Sequence, residues 1–210
     1  MNPAVLERAS AIRQGRRLEH FTIVWNSLEA LVALISGFLS GSVALVGFGF
    51  DSLIEVTSGG TLLWRLHYGE HEQRRARVER RALRIVGFCF IALAVYIAYD
   101  SIHSLVLREA PQRSIPGILV AIASLVVMPI LARAKRRVAH SIDSAAMNAD
   151  ARQTELCTYL SSILLGGLLL NALFGLWWAD PSAGLIMGPI IAKEGWDALH
   201  GKNCRGPTGC

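Results

Sequence analysis

The sequence predicts an all-α membrane protein with six transmembrane helices and both termini in the cytoplasm. Of its 210 residues, 52% are hydrophobic and 18% are charged, whereas a soluble domain carries about 25% charged residues. The mean hydropathy is +0.40. The first 17 residues are polar and basic and lack an apolar core, so no cleavable signal peptide is predicted and the first helix is expected to direct its own insertion.

Six stretches approach the length of about 20 mostly apolar residues that a helix needs to cross a bilayer. They predict helices over residues 20–40, 42–66, 83–106, 115–134, 145–170 and 181–199. The chain then divides into a cytoplasmic N-terminal segment (1–19), a six-helix transmembrane domain (20–200) and a short cytoplasmic tail (201–210).

Basic residues set the predicted orientation. They precede the first helix and occupy the loops after the second and fourth helices and the end of the chain, whereas the opposite side has Arg108 and Arg113. The cluster after the fourth helix comprises Arg133, Lys135, Arg136 and Arg137. Because basic loops stay in the cytoplasm and contact anionic lipid headgroups, the positive charge indicates a lipid bilayer as partner and not a nucleic acid.

The second helix carries two carboxylates, Asp51 and Glu55, near its middle. Residues four apart on a helix share a face, with Cβ atoms roughly 5–6 Å apart. Ionised groups in a membrane are costly and normally face a cavity or a partner, and two acids on one face repel unless a cation or protons neutralise them. The pair therefore predicts a cation site.

The fifth helix supplies a matching polar face. At 100° per residue, Asp150, Gln153, Thr154 and Cys157 share one side, and polar stripes of spanning helices turn toward the bundle interior. If the two faces meet, the metal ligands are Asp51, Glu55, Gln153 and Cys157. Such mixed sulfur and oxygen sets suit zinc and similar cations. The amide of Gln153 is a poor zinc ligand and alternatively orients a carboxylate or holds a water.

Two motifs resemble those of the cation diffusion facilitator superfamily. Gly-Ser-Val-Ala-Leu-Val-Gly-Phe-Gly-Phe-Asp-Ser-Leu-Ile-Glu-Val is similar to the family's second helix, and Ala-Asp-Ala-Arg-Gln-Thr-Glu-Leu-Cys to its fifth. The resemblance implies a six-helix exporter of divalent metals, usually a homodimer, that exchanges metal for protons. Asp51 falls on the first acidic ligand, whereas Glu55, Gln153 and Cys157 replace an aspartate, a histidine and an aspartate. The C-terminal cytosolic domain of many relatives is not expected in this chain, which in this respect is similar to a short branch of the superfamily.

The expected function is export of a divalent cation across the cell (inner) membrane by alternating access, with metal and protons competing for one set of side chains. Zinc is the expected substrate, with cadmium, cobalt, iron and manganese as alternatives, and no cofactor is expected. Asp150 is expected either in the access path or as a helix cap. Glu29 and Thr154 are expected in the access path or behind the ligands.

Other interpretations stay open. Asp51 and Glu55 alternatively form a structural pair bonded to Asn26, Ser27 or Thr154. The protein is alternatively a metal sensor without turnover, or a membrane thiol enzyme, although no histidine lies on the Cys157 face of the fifth helix. Cys204 and Cys210 either bind metal or belong to a disordered tail.

Overall fold

The computed structural model describes residues 3–67, 72–142 and 144–200, all of whose regular structure is α-helical. Cys204 and Cys210 lie outside the described residues. The six helices are α1 (Pro3–Ser40), α2 (Val43–His67), α3 (Glu72–Leu107), α4 (Ile115–Ile142), α5 (Ala145–Phe174) and α6 (Ala179–Leu199). The predicted all-α fold with six helices is confirmed.

Several helices extend beyond their predicted ends. α1 begins at Pro3 and not near residue 20, α3 begins at Glu72 and not near residue 83, and α4 continues to Ile142 and not to residue 134. Hydropathy marks where the apolar run stops, but backbone hydrogen bonding continues past that point through charged residues with good helix propensity. The extension of α4 changes the environment of Lys135, which the sequence had placed in the loop.

Within the part of the chain that the structure describes, four helical segments are long and apolar enough to cross a bilayer: Ser10–Ser40, Arg84–Leu107, Ile115–Ile142 and Met147–Phe174. With these spans the protein is a polytopic membrane protein. α2 and α6 have 25 and 21 residues, which also reaches the span length. The orientation of the termini and the domain boundaries stay predictions.

The helices pack as three close pairs, α1 with α2, α3 with α6, and α4 with α5. α1 also packs against α4, and α2 contacts α5, so these four helices surround a common interior. That interior is polar along one stripe of α1, where Glu19, Thr22, Asn26 and Glu29 are each at most 1% exposed. Their spacing of three and four residues places them on one helix face.

A hydrogen-bonded serine fixes the start of α2 against α6. After a turn at Gly41, whose φ of 68° favours glycine, Ser42 accepts a hydrogen bond from the Leu45 N–H at 3.1 Å and so caps α2. The Ser42 hydroxyl donates to the buried Asp180 carboxylate at 2.5 Å. This contact joins residues 138 positions apart in sequence and holds α2 in register with α6.

Replacement of Asp180 should therefore destabilise the bundle. In Asp180→Ala the buried Ser42 hydroxyl loses its acceptor, which costs about 1–3 kcal/mol. We expect a lower melting temperature in detergent, measured by thermal unfolding. Glu109→Ala is the control, because Glu109 is exposed in the loop between α3 and α4. Equal melting temperatures for the Asp180 and Glu109 variants would contradict a structural role for the cap.

Candidate metal centre

Glu29 of α1 lies at the centre of the polar interior. Its carboxylate accepts hydrogen bonds from the Ser52 hydroxyl at 2.7 Å and from the Trp25 indole N–H at 2.9 Å. Ser52 belongs to α2 and is fully buried, so the carboxylate is held from two helices. These donors fix the position of an acid for which the sequence indicated a place in the access path or behind the ligands.

The Cys157 thiol of α5 contacts this carboxylate. Its Sγ donates to Glu29 Oε1 at 3.8 Å, and the side chain is buried. A sulfur about 2.3 Å and an oxygen about 2.1 Å from one zinc ion at the tetrahedral angle are about 3.6 Å apart. The observed separation is close to this value. Glu29 and Cys157 are therefore spaced like two ligands of a tetrahedral metal.

Asp51 and Glu55 flank this pair from α2. Both are buried, and the carboxylates of Glu29, Glu55 and Asp51 all lie near the Cys157 thiol. Across the described ranges, neither carboxylate oxygen of Glu55 makes a hydrogen bond. Asn26 also makes none with its amide there, and the Ser27 hydroxyl donates to the Ile23 carbonyl. Among the described residues neither Asn26 nor Ser27 bonds to these acids, whereas Thr154 lies beside Glu55, so a structural pair held by Thr154 stays an alternative.

The predicted ligands do not converge in this structure. Within residues 3–67, 72–142 and 144–200, no group of three or more His, Cys, Asp or Glu side chains is placed to hold a metal ion. The candidate centre thus consists of the contact between Glu29 and Cys157, with the carboxylates of Asp51 and Glu55 beside it. Binding a cation would require the α2 acids to move toward the pair.

Gln153 lies one turn from Cys157 and points to a different neighbour. Its Oε1 accepts a hydrogen bond from the Ser58 hydroxyl of α2 at 3.0 Å, and the side chain is half-buried. The amide thus joins α5 to α2. Its role as a metal ligand stays a prediction.

Asp150 and Thr154 occupy the side of the centre nearest the loop between α4 and α5. The N-cap of α5 is Ser144, which accepts from the Met147 N–H at 3.3 Å, so Asp150 is not the cap. Asp150 instead pairs with the Lys135 ammonium at 2.5 Å. Thr154 lies between this pair and Glu55 and also accepts from Lys135, at 3.3 Å.

Lys135 is the main residue near the site whose position the sequence predicts wrongly. The sequence predicts a cytoplasmic loop charge, but Lys135 is fully buried on α4. The signal was present in the spacing, because Lys135 continues the buried stripe of Met128, Leu131 and Ala132 at helical intervals. Glu19, also unrecognised, belongs to the polar stripe of α1 and lies 3.4 Å from the Lys135 ammonium.

The sequence of the whole membrane domain is similar to that of known proteins. The sequence matches the cation efflux transmembrane domain over residues 20–200. The chain belongs to the cation efflux family. Members of this family are transporters of metal cations, and the metal is their substrate and not a resident cofactor.

The individual relatives have low sequence identity to this chain, but each match covers most of it. An uncharacterized transporter of Methanocaldococcus jannaschii is 27% identical over 182 residues, covering 84% of this chain and 64% of the relative. Transmembrane protein 163 of Xenopus laevis is 26% identical over 206 residues, covering 92% and 72%. The manganese efflux system protein MneS of Bacillus subtilis is 22% identical over 198 residues, covering 91% and 68%. This cation efflux chain therefore spans about two thirds of the length of these relatives.

The geometry predicts that Glu29 contributes to metal affinity. Glu29→Gln keeps the size of the side chain but removes the charge beside Cys157. We expect zinc affinity in detergent, measured by isothermal titration calorimetry, to fall about 10–100-fold, as is typical when a group supporting a metal site is lost. Glu155→Gln is the matched control, because Glu155 pairs with Arg136 at the helix surface. Wild-type affinity in Glu29→Gln would exclude this role.

Proposed function

We propose that the protein exports a divalent metal ion, with zinc as the preferred substrate, in exchange for protons. The observation that carries this proposal is the contact between Glu29 and Cys157, spaced like two ligands of one tetrahedral ion, with Asp51 and Glu55 beside it. Three carboxylates and a thiol exceed the charge of one dication when fully ionised. Protons are therefore the natural partners of these groups when the metal leaves.

The proton exchange follows from the ligand chemistry. A thiol must lose its proton to bind a metal, so metal binding releases protons. The Cys157 thiol donates to Glu29 Oε1, so this proton lies between the two groups that are proposed to bind the metal. Return of protons from the other side of the membrane would then displace the metal. Alternating exposure of the centre to the two sides completes the cycle.

Manganese is the second candidate substrate. Oxygen donors from Glu29, Asp51 and Glu55 outnumber the single sulfur, and carboxylate oxygens suit manganese. The relative MneS is named as a manganese efflux system protein. The thiol of Cys157, by contrast, favours zinc or cadmium, so the preference between these metals reports which donors dominate.

The surroundings of Cys157 do not support the thiol-enzyme interpretation. A catalytic cysteine is normally activated by a neighbouring base such as histidine. Here the hydrogen-bond partner of the thiol is a carboxylate of α1, and α5 carries no histidine.

The proposal also includes a homodimer in the cell (inner) membrane, and this part rests on the family resemblance.

Metal flux into proteoliposomes tests the proposal. With an acidic interior, we expect zinc uptake that requires the pH gradient, exceeds manganese uptake and is lost in Asp51→Ala, because the site then lacks a charged ligand. Asp100→Ala is the control, since Asp100 lies on α3 and accepts a hydrogen bond from Tyr96 there. Metal binding without flux would show a sensor, and gradient-independent flux would exclude proton antiport.

A further inference from the structure

A second group of buried charges lies between α1, α4 and α5, on the side that the basic residues predict to face the cytoplasm. The Lys135 ammonium is 2.5 Å from Asp150 Oδ2 and 3.4 Å from Glu19 Oε1. It also contacts Thr154. Lys135 and Glu19 are fully buried and Asp150 is 5% exposed. We define Glu19, Asp150 and Thr154 as the inner acid pocket and Lys135 as its occupant.

The inner acid pocket has more acceptor capacity than Lys135 uses. Among the described residues, Glu19 Oε1 and Asp150 Oδ1 make no hydrogen bond although both are buried, and Glu19 Oε1 has only its 3.4 Å ion pair with Lys135. Charged hydrogen bonds are normally about 2.7–2.9 Å long, so the contacts to Glu19 are loose. Two carboxylates against one ammonium also leave an excess negative charge when all three groups are ionised. Buried carboxylate oxygens with unused lone pairs indicate a place for a stronger cation.

The pocket connects to the metal centre. Thr154 contacts Lys135 and also lies beside Glu55, and Asp150 lies two helical turns from Cys157 on the same face of α5. Gly59 of α2 leaves the space beside Glu19, because a Cβ added there would lie 3.3 Å from Glu19 Oε2. Four helices thus enclose a polar path from Glu19 and Asp150 to Glu55 and Cys157.

We propose that the inner acid pocket is a second cation site, at which an arriving divalent ion replaces the tethered Lys135 ammonium before it reaches the metal centre. This inference rests on the proposed transport function. A divalent ion attracts the same carboxylates twice as strongly as an ammonium at equal distance. The flexible four-carbon stem of lysine allows Nζ to leave, and Arg133 and Arg137, two residues away on either side, are exposed. Before the ion arrives, Lys135 occupies the pocket and offsets part of its negative charge.

Counting bound Mn²⁺ tests the site directly. Mn²⁺ suits an all-oxygen pocket, and its free concentration in detergent solution is measured by electron paramagnetic resonance. Lys135→Met removes the occupant at similar length, so at a free Mn²⁺ concentration too low to displace Lys135 in the wild type we expect one additional Mn²⁺ per chain in this variant. Adding Asp150→Asn to Lys135→Met should remove that ion. Arg133→Met, which deletes an exposed charge of the same helix, should bind the wild-type number.

Two outcomes separate this inference from the proposed function. The additional Mn²⁺ should persist when Asp51→Ala is added to Lys135→Met, because Asp51 belongs to the metal centre and not to the pocket. An unchanged Mn²⁺ number in Lys135→Met, or an additional ion that survives Asp150→Asn, would overturn the second site even if zinc flux is normal.

A measurement on the wild-type protein applies if the variants do not fold. The chain has three lysines, Lys135, Lys193 and Lys202. Saturating Mn²⁺ should raise acetylation of Lys135 by a small amine reagent several-fold, because the displaced ammonium reaches solvent. The exposed Lys193 serves as the internal control and should not change. Mass spectrometry gives both values, and unchanged Lys135 acetylation would contradict displacement.

Discussion

Buried carboxylates constrain this bundle more than any other feature. An acid in the membrane interior is tolerated when a cation, a proton or strong hydrogen bonds offset its lost hydration. The structure shows three such arrangements at different depths: Asp180 with the Ser42 hydroxyl, Glu29 with Ser52, Trp25 and Cys157, and Glu19 and Asp150 with Lys135. Glu55 lies between the last two and makes no hydrogen bond among the described residues.

This distribution of charge connects the fold with the proposed transport cycle. The cap at Ser42 and Asp180 fixes one end of α2, whereas the acids of α2 lie in the middle of the bundle. Glu29 is restrained by two donors and Cys157 by its contact with Glu29, so these two groups form the fixed part of the centre. Asp51 and Glu55 are the groups whose movement would complete a metal site.

The sequence predicted the parts that depend on local spacing. Lengths of apolar runs gave six helices, and intervals of three and four residues gave the faces that carry Asp51 with Glu55 and Asp150 with Cys157. The position of Glu29 against Cys157 joins residues 128 positions apart and depends on how α2 and α4 pack against both α1 and α5, which no local pattern determines. Lys135 was misplaced because hydropathy ends at the charged residues, whereas α4 and its buried stripe continue. The Ser42–Asp180 contact, between residues far apart in sequence, was likewise beyond local spacing.

The most direct test of the metal centre is X-ray absorption spectroscopy at the zinc edge of the zinc-loaded protein. We expect one sulfur at about 2.3 Å together with oxygen ligands, and loss of the sulfur signal in Cys157→Ser. Cys89→Ser is the matched control, because Cys89 is exposed on α3 and not at the centre. A zinc ion bound without sulfur, or a sulfur signal that persists in Cys157→Ser, would contradict a centre built on Glu29 and Cys157.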